Sequence, residues 1–231
     1  AASIAAWRAA RPAAPLVLVL TGTDLYRDID IDADAQRSLE RAEALVVLNE
    51  LGPARLPARL RVRCHVVLQS CRGMAPQNDK ARRWLRVLMV GHLRPEKDPA
   101  TYLQAAAMLA SRRDLRFDHI GDALDAGLAA QARERMAAQP TYRWLGARPH
   151  CEVRRRIGDA HLLVHASVME GGAQVVIEAI RSGTPVLASR MDGNVGLLGP
   201  DYDGYFPVGD SRRLAALIER ARDDPAMLPG L

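Results

Sequence analysis

HASVMEGGAQVVIEAIRSGTPVLAS, residues His165 to Ser189, carries the pattern from which the rest of the chain is read. It spells a strand end, a glycine-rich turn, an amphipathic helix stopped at Arg181-Ser182-Gly183, and a new strand from Pro185 to Ala188. That is one α/β unit with a ligand-sized mouth at its front. Two carboxylates frame the mouth, Glu170 before the glycines and Glu178 inside the helix, with seven residues between them. Gly171 and Gly172 put no side chain between a ligand and the backbone, and the first N–H groups of the helix, near Ala173 and Gln174, can meet phosphate oxygens. Glu178 then lies roughly 7 Å deeper along the helix. A diphosphate at the helix tip, a sugar beside Glu170 and a ribose beside Glu178 fit that span. An acidic helix start followed by one solvated glutamate fits the same letters.

The 231 residues, 48% hydrophobic and 26% charged, have an ordinary globular balance and suffice for one large or two ordinary domains. No apolar run approaches the ~18 residues of a membrane span, and the first residues lack the charged-then-apolar pattern of a signal peptide, so the cytoplasm is the expected compartment. Cys64, Cys71 and Cys151 have no metal spacing and read as reduced structural thiols. A net charge of +5 could suggest nucleic acid, but with 4% aromatic residues there are few stacking platforms, and no nucleic-acid motif occurs. Much of the excess lies between Arg55 and Arg86, where Arg55, Arg59, Arg61, Arg63, Arg72, Lys80, Arg82, Arg83 and Arg86 face only Asp79. That stretch reads as a solvated basic connector, with anion attraction as the functional alternative.

Taken in order, Ala1 to Ala10 is helical in pattern, and its opening without Met predicts sequence before Ala1. Leu16 to Leu20 reads as a buried parallel strand running into the turn Thr21-Gly22-Thr23-Asp24. A helix from Asp34 to Ala42 and strands Ala44 to Leu48 and His65 to Gln69 make this region the latter half of a Rossmann-like domain. From Leu85 the alternation restarts: strand Leu85 to Val90, turn Gly91 to Asp98, helix Pro99 to Ala110, strand Leu115 to Ile120, helix Leu124 to Ala138, strand Tyr142 to Leu145, helix Glu152 to Ala160 and strand Leu162 to His165. Met191 to Gly196 reads as a glycine-rich loop, Tyr205 to Val208 closes the sheet, and Ser211 to Arg222 is a helix capped by Ser211 or Asp210. The expected division is 1–84, 85–210 and 211–231.

The E-x7-E spacing between a strand end and a helix with a Ser-Gly-Thr-Pro stop resembles the retaining GT-B glycosyltransferases of the large bacterial family four, over roughly Leu85 to Asp210. The resemblance implies an α/β fold of GT-B type, two Rossmann-like domains facing across a cleft, with the N-terminal one incomplete in this chain. It also implies a nucleotide-sugar donor, with Glu170 on the sugar hydroxyls and Glu178 on the ribose. The turn GHLRPEK is similar to the family's G-R-L-x-x-x-K. Lys97 matches its lysine, His92 stands where the arginine is expected, and Arg94 is assigned the arginine's role. Lys and Arg can neutralise a departing nucleoside diphosphate, so neither metal nor cofactor is expected. Gly193 and Asn194 are donor-side candidates. Thr21 to Asp24 resembles an H-G-x-D-like turn of the acceptor side, which makes Asp24 and Arg27 candidates there, with His165 at the mouth.

TGTDLYRD, VGHLRPEKDP, YRWLGA, the 161–199 stretch and GYFPVGD together look like the selenosugar synthases of selenoneine biosynthesis, a branch of the same family. This implies selenophosphate as the acceptor and a UDP-sugar, UDP-N-acetylglucosamine above all, as the donor. A hexosyltransferase with an ordinary hydroxyl acceptor and a non-catalytic nucleotide-sugar-binding protein are the alternatives. Neither nucleic acid nor membrane is expected as a partner.

Overall fold

The computed structural model describes residues 2–75, 80–81 and 83–231, so Asp79 and Arg82 of the basic connector lie outside the described residues. The chain divides into two compact units, one of Ala1–Gln69, Met169–Ala173 and Met191–Pro200, the other of Ser70–Val168, Gln174–Arg190 and Asp201–Leu231.

In the first unit, β1 (Val17–Leu20), β2 (Ala44–Val47) and β3 (Cys64–Val66) pair in parallel in that order. Parallel neighbours need a crossover, and the Ala33–Arg41 helix provides the first, its start capped by the Asp32 carboxylate accepting from Asp34 N. Leu20, Leu25, Leu39, Leu45, Val47, Leu56 and Leu60 form the core. β1 is not the buried strand its unbroken apolar run predicts: it is an edge strand, with Val17 57% and Val19 48% exposed. Most arginines of the connector are exposed, as expected of a solvated segment, yet several of them have partners. Arg55 pairs with Asp30 at 2.9 Å, Arg59 and Arg63 reach Glu40 at 2.6 and 3.5 Å, and Arg61 donates to the carbonyls of Ala54 and Leu56. The carboxylates, Asp30 and Glu40, come from outside the basic segment, so its own composition could not reveal them.

The second unit holds β4 (Leu85–Val90), β5 (Leu115–Ile120), β6 (Tyr142–Trp144), β7 (Leu162–His165), β8 (Val186–Ser189) and β9 (Tyr205–Phe206). All pair in parallel, in the order β6-β5-β4-β7-β8-β9. The Pro99–Met108, Ala126–Ala138, His150–Asp159 and Gln174–Arg181 helices lie between successive strands, and the Ser211–Asp223 helix follows β9. Strands buried on both faces read as continuous apolar runs, and β7 and β8 are buried throughout. Met191 to Gly196, read as a loop, is instead part of a short helix, Asp192–Leu198. Asn194 and Val195 both donate to the Met191 carbonyl, and Gly199, at φ 85°, ends the helix. The turn-like letters Asp, Gly and Asn are local preferences that these bonds override.

The core of this unit is built around Tyr102. Its ring meets Phe117 and His119 edge-on at 5.9 and 6.0 Å, and its hydroxyl lies 3.0 Å from the Val87 carbonyl and 3.1 Å from that of Asp118. His119 is buried beside it, with Nε2 3.0 Å from the Gly91 carbonyl and Nδ1 3.2 Å from the Tyr142 hydroxyl. A carbonyl only accepts, so Nε2 carries the proton and Nδ1 accepts from the tyrosine. At the opposite strand ends, Arg112 joins Asp114 to Glu219 and Asp223, and Arg222 reaches back to Asp114 at 2.7 Å. This ties the last long helix to the start of β5.

Burial depresses the pKa of His119 from its ordinary 6.5 to about 4, outweighing the opposing pull of the Gly91 carbonyl. The unfolded chain therefore takes up this proton first as pH falls, and the contribution to stability present above pH 6.5 is lost progressively toward pH 4. The loss is on the order of 3 kcal/mol. Urea unfolding at pH 7 and at pH 4.5 should show a clearly smaller drop in His119→Gln than in the parent. Equal drops would remove His119 from this role.

Candidate functional site

The strand order turns round between β4 and β7, and at such a point the crossovers leave to opposite sides of the sheet and open a crevice beyond the strand ends. Two loops start there, Gly91 to Lys97 after β4 and Ala166 to Val168 after β7, joined by a bond from Val168 N to the Glu96 carbonyl at 3.0 Å. Pairing with the β5 side continues past the strand ends, since Gly91 N donates to Ile120 and Leu93 N to Asp122, both at 2.8 Å. Here the backbones approach closely enough to require glycine: a Cβ on Gly121 would lie 1.9 Å from the Gly91 oxygen.

This frame fixes the basic loop. The His92 Nδ1 accepts from Asp122 N at 2.9 Å, so the neutral ring keeps its proton on Nε2 and presents a donor from an exposed position. Arg94 precedes the Pro95–Lys97 turn in extended conformation. The aliphatic stem of Lys97 runs past Gly91, 3.5 Å from where a Cβ there would sit. Asp98, at φ 44°, then caps the Pro99–Met108 helix through its carboxylate, which accepts from Thr101 N and Oγ1. His92, Arg94 and Lys97 are thus held on one loop.

The helix read from the opening stretch is the Gln174–Arg181 helix. It ends with Gly183 at φ 65° and Thr184 N bonding back to the Ala179 carbonyl at 2.9 Å, the glycine stop expected from Ser182-Gly183. Glu178 is not a solvated glutamate: it is 3% exposed, and its Oε1 lies 2.7 Å from His150 Nε2. His150 is the partner of Glu178 that the sequence did not disclose. It opens the His150–Asp159 helix two residues before the expected start, and no spacing links it to Glu178. His165 is buried within β7, its Nε2 3.2 Å from the Ser167 hydroxyl.

The glycine-rich loop Met169–Ala173 packs within the first unit. Asn49, fully buried, donates through Nδ2 to the Gly171 carbonyl at 2.7 Å and to the Tyr26 hydroxyl at 2.9 Å. Side chains at Gly171 and Gly172 would strike the Thr21 backbone at 2.6 Å and the Leu48 Cβ at 2.7 Å. These glycines therefore make room for the protein's own chain. Gly193 lies against the same loop, since a Cβ there would fall 1.8 Å from the Glu170 carbonyl oxygen, and its neighbour Asn194 is buried. Asp24 accepts from Thr21 N and Thr21 Oγ1 at 3.1 and 2.7 Å, and Arg27 Nε donates to Asp28 at 2.9 Å. Among the described residues no group of three or more His, Cys, Asp or Glu could hold a metal ion, and no helix is long and apolar enough to cross a membrane.

Residues 75–228 match the family described as glycosyl transferases group 1. The chain is 33% identical over 136 residues to a GDP-mannose-dependent alpha-mannosyltransferase of Mycobacterium tuberculosis, an alignment covering 56% of this chain and 33% of that protein. Its fold is similar to that of Anabaena HepE solved with UDP-glucose (TM-score 0.79, 18% identity, 98% of this chain and 67% of that one). It is also similar to the pneumococcal O-GlcNAc transferase GtfA solved with UDP and GlcNAc (TM-score 0.75, 15% identity, 97% and 49%). The chain thus spans about a third of the mannosyltransferase and half of GtfA. The fold is α/β of GT-B type.

Replacing Gly193 by Ala should cost about 1–3 kcal/mol, because the added methyl forces the Glu170 backbone aside. Urea denaturation measures this directly, and a loss under 0.5 kcal/mol, estimated as the ordinary surface range, would show that the loop yields without cost.

Proposed function

The chain belongs to the glycosyl transferases group 1 family, and from that premise we propose that it binds a UDP-sugar and transfers its hexose to selenophosphate. The observation that carries the donor half is Glu178, a carboxylate buried in the helix that follows a glycine-rich loop at the carboxyl edge of a parallel sheet. Such a group is suited to accept both hydroxyls of a ribose. The loop holding Lys97, Arg94 and the His92 Nε2–H suits a diphosphate, and the first N–H groups of the 174–181 helix add dipole attraction. Solved structures of similar fold that hold UDP-glucose, or UDP with GlcNAc, support a UDP-sugar donor. Glu170 is assigned the sugar hydroxyls on the family resemblance alone.

In this reading the selenium of selenophosphate attacks the anomeric carbon. The bond from that carbon to the diphosphate oxygen breaks, and its electron pair leaves with UDP. Lys97 and Arg94 neutralise the charge growing on the leaving group, so no metal is needed. Water then cleaves the Se–P bond, giving inorganic phosphate and a selenosugar. The nucleophile is already anionic, so the protein must position and neutralise more than abstract a proton. The acceptor rests on the resemblance, with His92 after Gly91 and Gly171-Gly172-Ala173 after Glu170 as its marks. The likeness to a mannosyltransferase favours a second reading, transfer to an ordinary hydroxyl.

Incubation with selenophosphate and UDP-N-acetylglucosamine, followed by mass spectrometry, should yield a selenium-containing hexosamine with release of UDP. UDP release only with an alcohol acceptor would replace this proposal by the second reading. Lys97→Ala should lower kcat more than it raises KM, because the charge it meets grows in the transition state. Glu178→Ala should chiefly weaken donor binding, by about 1.5–3 kcal/mol.

A further inference from the structure

The buried Glu178 owes its one side-chain partner among the described residues to a residue at the surface: its carboxylate is 4% exposed, the His150 imidazole 71%. A carboxylate withdrawn from water needs a donor. Because it accepts only, the nearby Nε2 must donate. The bond joins the first residue of the 150–159 helix to the middle of the 174–181 helix, across 28 residues of sequence. The 174–181 helix is itself fixed beyond Glu178, where the Ser182 hydroxyl donates to the Glu178 carbonyl at 2.7 Å. That leaves the side-chain torsions of Glu178 as the freedom that His150 removes. With Oε1 engaged, Oε2 remains to accept from a bound molecule.

We propose that His150 is a positioning residue: it holds the Glu178 carboxylate in one orientation to receive ribose hydroxyls, and so sets the preference for ribo- over deoxyribonucleoside diphosphates. The inference rests on the donor reading above and adds the residue through which Glu178 acts. A surface histidine that merely packs would affect every ligand alike. One that orients a hydroxyl acceptor affects only ligands that bring the hydroxyl.

The test is calorimetric titration of the parent, His150→Ala, His150→Phe and His150→Gln with UDP and with 2′-deoxy-UDP. The parent should bind UDP about tenfold or more tightly than 2′-deoxy-UDP, the scale of a hydrogen bond to a charged group. His150→Ala and His150→Phe, the latter filling the ring's space without a donor, should bring the two affinities within about twofold by weakening UDP. His150→Gln, whose amide can donate from nearly the same place, should restore most of the preference. If Ala and Phe variants keep the parental ratio, or lose affinity for both nucleotides equally, the inference is overturned. Failure of the parent to bind UDP would instead overturn the donor reading on which it stands.

Discussion

All six strands of the second unit run the same way, and their order turns round once, between β4 and β7. Much else follows from that constraint. Parallel strands deliver their carboxyl ends to one edge, so the loops that leave them share that edge whatever their sequence separation. Where the order reverses, the two neighbouring chains depart to opposite faces, and no crossover covers the gap. The basic loop after β4 and the helix after β7 meet this condition from two directions. The backbone contact of Gly121 with Gly91 holds the first of them in register with β5.

Several polar groups buried in this frame are matched to one another. Tyr102 and His119 satisfy main-chain carbonyls at the centre of the sheet, and Asp118 receives both nitrogens of the Arg143 fork at 2.9 and 3.1 Å. An unmatched group there would cost more than a matched one contributes, which makes these contacts specify the packing as much as stabilise it. Glu178 follows the same rule with a difference. Its partner comes from the surface, so the carboxylate is buried yet stands one side chain away from water.

The α/β alternation from Leu85 onward was legible because most of its strands are short and largely apolar and most of its helices end in glycine or begin at a capping carboxylate, such as Asp98, Asp125 and Asp210. The Glu170 to Glu178 spacing was legible for the same local reason. What escaped were relations that no spacing encodes. The exposure of Val17 and Val19, alternating with the more buried Leu18 and Leu20, depends on what covers that face of β1, and the ion pairs of Arg55 and Arg59 depend on two helices earlier in the chain. The bond from His150 to Glu178 and the seating of Gly171 and Gly172 against Thr21 and Leu48 are likewise products of tertiary structure.

The Asn49 amide gathers Tyr26 and Gly171, groups 23 and 122 residues away in sequence. Residues 169–173 and 191–200 belong to the same compact unit as residues 1–69. During synthesis on the ribosome, the first three strands emerge long before the segments that complete their unit. Their shared apolar core, Leu20 to Leu60, is encoded before that point, but Asn49 must wait for Gly171 while the intervening sheet is translated, and the entropy of closing so long a loop is met late. The first unit is thereby completed only once residues 169–173 and 191–200 have been made, so a nascent chain released earlier would expose the surface of Thr21, Leu48 and Asn49 against which Gly171, Gly172 and Gly196 pack.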